Sequence, residues 1–385
     1  MGDSSTRQAG SPKSVKSASG AGAPTSSPTR PTAPSPAQAA SSPPNAGGDA
    51  ADAAVENAPL EANEENNTDE GATIDERLSQ YTASLSSGVV DYPVEYGRRY
   101  HAFRPGSYSF PNDEVEMDRL DMAHALMVRS IGSRLFLAPL ERDNVHRILD
   151  IGTGTGIWAV EIGDIFENAE VIGIDLSAIQ PEWVPANVKF EIDDVESPWV
   201  GNKKYDFIMC RYMAASISDW PRLVRNIYDN LNPGGWAEFQ DMSTNYYSQD
   251  GTYTEKNATW GWNKTFVRAC ESLGRDPCPG PKLEAWVRDH GGFQSVYHQR
   301  FRAPIGPWPK DPYYRDIGML NLAQTLEGLE AFSLKLFCGV LGRTREEVLV
   351  ELAAVRKELK TGAFHSMFDL HVVYGQKPFE AEADE

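Results

Sequence analysis

The residues with the clearest chemical purpose form one short run, Asp150-Ile151-Gly152-Thr153-Gly154-Thr155-Gly156. Glycine has no Cβ, so a backbone carrying it at alternate positions can turn tightly and let a ligand approach its amides. The run lies between the apolar RILDI (147–151) and an apolar-periodic segment reaching about Phe166. That is the pattern of a strand, a loop and a helix N-terminus, whose free N–H groups face the loop. In one frame, Gly154-Thr155-Gly156-Ile157-Trp158-Ala159 reads G-x-G-x-x-A, the seat of a dinucleotide pyrophosphate. An NAD(P)-dependent oxidoreductase would follow from it. This frame leaves Gly152 without a purpose and puts Asp150 beside a phosphate it would repel. The longer frame, D-x-G-x-G-x-G, uses every residue and suits a ligand with positive charge near the acid.

More acids follow. Asp175 ends EVIGID (170–175), nineteen residues after Gly156. A carboxylate there can accept from both hydroxyls of a ribose, or it can cap a helix opening at Leu176-Ser177. Asp194 follows VKFEID (188–193), with Asp193 as its neighbour, and could equally hold a turn. YDFIMCR (205–211) sets Asp206 at a strand start, a structural place, and Arg211 at the end bordering the site. Candidates for catalysis are few: His101, Tyr100 and Arg211. Arg98 or Arg99 could pair with a ligand carboxylate, and Tyr96 and Tyr100 could close over a bound cation. His101 also reads as an ordinary histidine, and Trp158 as core.

The elements that must position these groups alternate. RILDI, EVIGID, VKFEID (188–193), YDFIMCR and WAEFQDM (236–242) read as five strands. Helices are expected after the glycine loop and over DWPRLVRNIYDNL (219–231), the latter stopped by NPGG. Repeated β-α-β units of this length imply an α/β protein with a mostly parallel sheet and helices on both faces. GFQSVYHQRF (292–301) and MFDLHVVYGQ (367–376) would complete the sheet, making seven strands. Helical stretches near 254–273, 281–290 and 315–360 form an insertion that could cap a pocket. Upstream, Asp113 and Glu114 sit where a helix first turn favours acids, before apolar residues at helical spacing.

ILDIGTGTGIWAVE, VIGIDLSAIQP, ESPW (196–199), DWP (219–221) and LNPGGWAEFQD together resemble the fungal LaeA-like methyltransferases. So do EYGRRYHAFRPGSYSFPNDEVEMDRLDMAHALM, WPKDPYYRDIG and LEGLEAFSL, and the resemblance spans roughly residues 90 to 380. It implies the Rossmann-like class I fold with a seven-stranded sheet and S-adenosylmethionine as cofactor. The site residues it implies are Asp150, Gly152, Gly154, Gly156, Asp175 and Asp194, the last reading the adenine amino group; with that cofactor, Arg98 or Arg99 could meet its carboxylate or equally bridge acidic surface groups. The methyl acceptor, a small metabolite or a protein side chain, is not implied. Some members of the family are nuclear regulators of secondary metabolism that associate with velvet-type proteins, while others sit in biosynthetic clusters. The alternative to an active enzyme is therefore a regulatory interaction module that keeps the cofactor site.

Composition sets the outer bounds. The 385 residues are 41% hydrophobic and 24% charged, as in an ordinary globular protein. No run of about 18 apolar residues is present, so no transmembrane helix is expected, and no secretory h-region opens the chain. A cytoplasmic or nuclear location is expected. Net charge is −19, and only nine of the 55 acids and four of the 36 bases lie before residue 71, so the remainder is itself acidic. Without a basic stripe, direct nucleic-acid binding is not expected. Cys210, Cys270, Cys278 and Cys338 match no zinc spacing and read as reduced thiols. Residues 1–72, rich in Ser, Ala and Pro, offer little to bury and are expected to be a disordered tail. A methyltransferase domain is expected over 73–385, with an N-terminal lid segment at 90–145, a core at 146–242 and the cap and last strands at 243–385.

Overall fold

The computed structural model describes residues 91–200 and 203–379. The tail expected over 1–72 lies outside them. A two-residue ladder, β1 (Val94–Glu95) and β2 (Arg98–Arg99), opens the described chain, and α1 (Glu114–Ser130) follows. Asp113 caps α1 by accepting from the Glu116 amide at 3.1 Å, with Glu114 and Glu116 in the first turn. Acids in this position oppose the positive end of the helix dipole.

The alternating core then runs β3 (Arg147–Ile151), α2 (Ile157–Ile165), β4 (Glu170–Asp175), β5 (Val188–Ile192), β6 (Tyr205–Arg211), α3 (Trp220–Asp229) and β7 (Leu231–Met242). Beyond it come α4 (Ala258–Ser272), α5 (Leu283–Asp289), β8 (Gln294–Pro304), α6 (Pro312–Ser333), α7 (Arg345–Thr361) and β9 (Met367–Gln376), with a π-helical stretch (Leu334–Val340) continuing α6. Seven strands form one sheet in the order β5-β4-β3-β6-β7-β9-β8, parallel except for β9, which runs antiparallel to both its neighbours.

The central strands are apolar on both sides because both sides are covered. Successive residues alternate between two layers. Ile148, Val171, Phe207 and Met209 pack with Trp158 and Ile162 of α2 on one face. Leu149, Ile172, Ile208 and Cys210 pack with Leu223 and Ile227 of α3 and Leu283 and Val287 of α5 on the other. A third apolar cluster gathers α1, α4, α6 and α7 against one end of β8 and β9. There α4 opens without a side-chain cap of its own. Glu358 on α7 accepts instead from the Ala258 and Thr259 amides, both at 2.9 Å, and from the Thr259 hydroxyl.

Most boundaries differ from the sequence reading by a few residues, and two differences change an element. NPGG does not separate helix from strand as a loop: β7 already starts at Leu231. The Gly234 amide donates to the Lys377 carbonyl and the Lys377 amide to the Gly235 carbonyl, which extends the β7–β9 ladder through the glycines. Gly234 adopts φ +80°, and a Cβ there would lie 2.3 Å from the Phe379 ring, so only glycine fits this crossing. The helical stretch expected over 315–360 is two helices. The chain breaks at Gly342 (φ +69°), and a Thr344–Glu347 capping box restarts it.

Candidate active site

A cleft opens outside the C-terminal ends of β3, β4, β5 and β6, where the strand order reverses direction about β3. Open α/β sheets bind ligands at this position. Counting its mouth, it holds about 870 Å³. The loop after β3 contributes Gly152 and Gly154, with φ of +66° and +58°. Only Leu120 stands near a Cβ built on Gly154, at 3.6 Å, so its backbone faces the cleft bare. Gly156 does not reach the wall. It is the left-handed residue that starts α2, and a Cβ there would lie 2.4 Å from the Phe190 ring.

Asp175 lies on the wall at the end of β4 and accepts from the Gly154 and Ser177 amides, both at 2.9 Å. Burial pushes its carboxyl up to about 6 against these N–H groups. Asp150, 3% exposed, stands behind the glycine loop rather than on the wall. It accepts from the Thr153 hydroxyl at 2.6 Å, and burial raises it to about 6 although that bond and Arg211 oppose the rise. Asp193 and Asp194 both face the cleft. Asp194 also holds its own turn, accepting from the Glu196 amide and the Ser197 hydroxyl.

Arg211 ends β6 on the wall. One nitrogen of its buried guanidinium lies 3.0 Å from His124 Nδ1, while Nη1 has no partner. His124, whose Nε2 lies 3.1 Å from Glu161, is held at about 3 by burial and then by Arg211, so it is neutral. An orphaned guanidinium N–H beside a cleft is a donor awaiting an acceptor.

The structure moves three expected residues away from the cleft. Arg98 makes a two-pronged pair with Asp113, at 2.6 and 2.7 Å, and so anchors the β1–β2 ladder to the start of α1. Tyr100 is fully buried; the Lys335 ammonium lies 4.2 Å from its ring centroid, and burial drives its hydroxyl well up. His101 is 3% exposed, with its ring nitrogens on the carbonyls of Phe103 and Tyr108, and burial lowers its affinity for a proton. None of the three lines the cleft. The segment after them does: Ser107, Tyr108, Pro111 and Asn112 form the opposite wall, and the Asn112 amide donates to Ser177 across it at 3.2 Å. The aromatic and small residues of SYSFPN (107–112), inside the lid segment expected over 90–145, were the sequence signal for this wall. Trp158 is buried core, its Nε1 donating to Leu135, and Asp206 ties the His146 and Arg147 amides at the start of β3.

With this geometry, the match of residues 121–291 to a methyltransferase domain places the chain among proteins that transfer methyl groups. Its relatives narrow the class. Methyltransferase pytC of Aspergillus terreus is 49% identical over 77% of this chain and 91% of its own length. Secondary metabolism regulator LAE1 of Cochliobolus heterostrophus is 35% identical over 74% and 94%. A probable methyltransferase, tdiE of Emericella nidulans, is 31% identical over 78% and 95%. The chain belongs to the LaeA-like family of fungal methyltransferases. Among the described residues no helix is long and apolar enough to cross a membrane.

Proposed function

We propose that the cleft binds S-adenosylmethionine and that the chain catalyses transfer of its methyl group. The observation that carries this reading is the convergence on one cleft of the left-handed Gly152 and Gly154 backbone, bare at Gly154, the Asp175 carboxylate and the Arg211 side chain, whose Nη1 has no partner. These groups fit the cofactor part by part. Asp175 would accept from the ribose hydroxyls, Asp193 or Asp194 from the adenine amino group, and Arg211 would meet the carboxylate. Asp150 supplies negative charge behind the loop, which favours the cofactor's amino group and sulfonium. The cofactor supplies an activated methyl group on a good leaving group. The protein's part is therefore chiefly orientation and exclusion of water. His101 and Tyr100 are buried and do not line the cleft, and no base is assigned.

A second reading rests on the likeness to LAE1: a regulatory module, nuclear and partnered by velvet-type proteins, with little turnover. The higher identity to pytC favours the enzyme. Calorimetric titration with S-adenosylmethionine and separately with NADH tests the cofactor. Micromolar binding of the first alone is expected, and binding of NADH alone would reverse the assignment. Appearance of S-adenosylhomocysteine with any acceptor separates enzyme from module.

A further inference from the structure

A second chamber adjoins the cleft, and half of the residues that line it carry aromatic rings. Phe110, Tyr246, Trp262, Phe266, Phe332 and Phe368 line it. Counting its mouth, it holds about 750 Å³. Phe110 stacks on Phe266, Trp262 on Phe266 and Tyr246 on Phe368. Tyr108, Leu120 and Tyr212 line both this chamber and the cleft and so form the partition between them. Tyr212 takes φ +55°, a conformation that a bulky residue adopts only when its surroundings impose it. Its hydroxyl donates to the Ala123 carbonyl at 3.0 Å, which fixes the ring at the boundary.

We propose, on the reading that the cleft holds S-adenosylmethionine, that this chamber is the acceptor site and that the acceptor is a small ring-bearing phenol or enol. Three observations carry this. The first is position, since the partition is shared with the cleft. The second is the state of the polar groups. Arg119 is committed to Glu116 and Gln324, and the Asn263 amide to the Thr244 carbonyl. A polypeptide backbone entering here would find few free partners for its N–H and C=O groups, whereas a flat apolar ring needs none. Trp262, Asn263 and Phe368 are each 1% exposed, which also excludes an open groove along this wall. The third is that neither histidine nor carboxylate lines the chamber. A hydroxyl acceptor there has no protein base to take its proton, so a phenol or enol, which gives its proton to water far more readily than an aliphatic alcohol, fits better. The hydroxyl oxygen then forms the bond to the methyl carbon as the carbon–sulfur bond breaks, and that electron pair stays on sulfur.

The probe is 2-naphthol, titrated by fluorescence into the full chain saturated with S-adenosylhomocysteine. Ala123 and Ala214 line the chamber and not the cleft. Saturable binding is expected, weakened at least tenfold by Ala123→Leu or by Ala214→Leu, while S-adenosylmethionine affinity stays within twofold. Two leucine positions are used so that a folding failure in one leaves the other. Absence of saturable binding, or equal binding by a folded leucine variant, overturns the acceptor assignment. Failure of the unmodified chain to bind S-adenosylmethionine overturns the cofactor reading instead, so the two failures are distinct.

Discussion

Asp175 presents its carboxylate to the cleft while accepting two backbone N–H groups, so its protonation state governs what it can accept from a ligand. Because burial raises it to about 6, it is ionised at neutral pH and becomes protonated on mild acidification. Affinity for S-adenosylmethionine is therefore expected to fall as pH drops from 7.5 to 5. Asp175→Ala should lower affinity at pH 7.5 at least tenfold, or about 1.4 kcal/mol. Asp175→Asn should reduce the pH dependence to the part that Asp150, also raised to about 6, contributes, and calorimetry at several pH values reads both. Glu238 poses the opposite problem. It is fully buried in β7, accepts from the Leu137 and Ala138 amides and the Gln240 amide, and is still pushed up to about 7 by burial. Its folded pKa lies above its unfolded one, so the stability it contributes is present below the ordinary carboxylate pKa and is lost as pH rises toward 7. Glu238→Gln should flatten the fall in melting temperature between pH 5 and 7.5. An unchanged slope would show that another group, Asp241 among them, sets it.

At the scale of elements, much was legible and the exceptions have a common cause. RILDI, EVIGID, YDFIMCR and MFDLHVVYGQ become β3, β4, β6 and β9 with their bounds as read, because a strand covered on both faces writes its burial into consecutive residues. NPGG became strand because a ladder partner, Lys377, arrives from 142 residues after Gly235. Arg98 went to Asp113 rather than to a cofactor because the β1–β2 ladder folds it back on the α1 cap, which local pattern does not record. Asp175 ends β4, and Asp193 and Asp194 follow β5 directly, so strand ends in the sequence pointed to these cleft acids, whereas Glu196, further along the loop, carried no such signal. The chamber was not legible, since its rings come from residues as far apart as Phe110 and Phe368 and meet only once α1, α4 and α6 pack. The Glu358 cap of α4 is a tertiary feature of the same kind. Glu358→Ala leaves the Ala258 and Thr259 amides without their acceptor and should cost about 1–3 kcal/mol. It should lower the melting temperature and loosen the α4 end of the chamber. Glu358→Gln should recover part of the loss, and thermal unfolding of both variants checks this.

For the molecule as a whole, the position of β9 has a temporal consequence. It is later in the chain than both β7 and β8, yet it lies between them, and among the described residues β8 pairs with no other strand. As the polypeptide emerges from the ribosome, the five parallel strands can assemble while β8 still has no place to dock. β7 meanwhile shows a bare row of amides and carbonyls. Such an edge invites pairing with other chains. The final strand is thus a closing stitch: a chain ending at residue 366 should synthesise normally yet collect in aggregates, and supplying the 367–379 peptide in trans during refolding should recover soluble monomer.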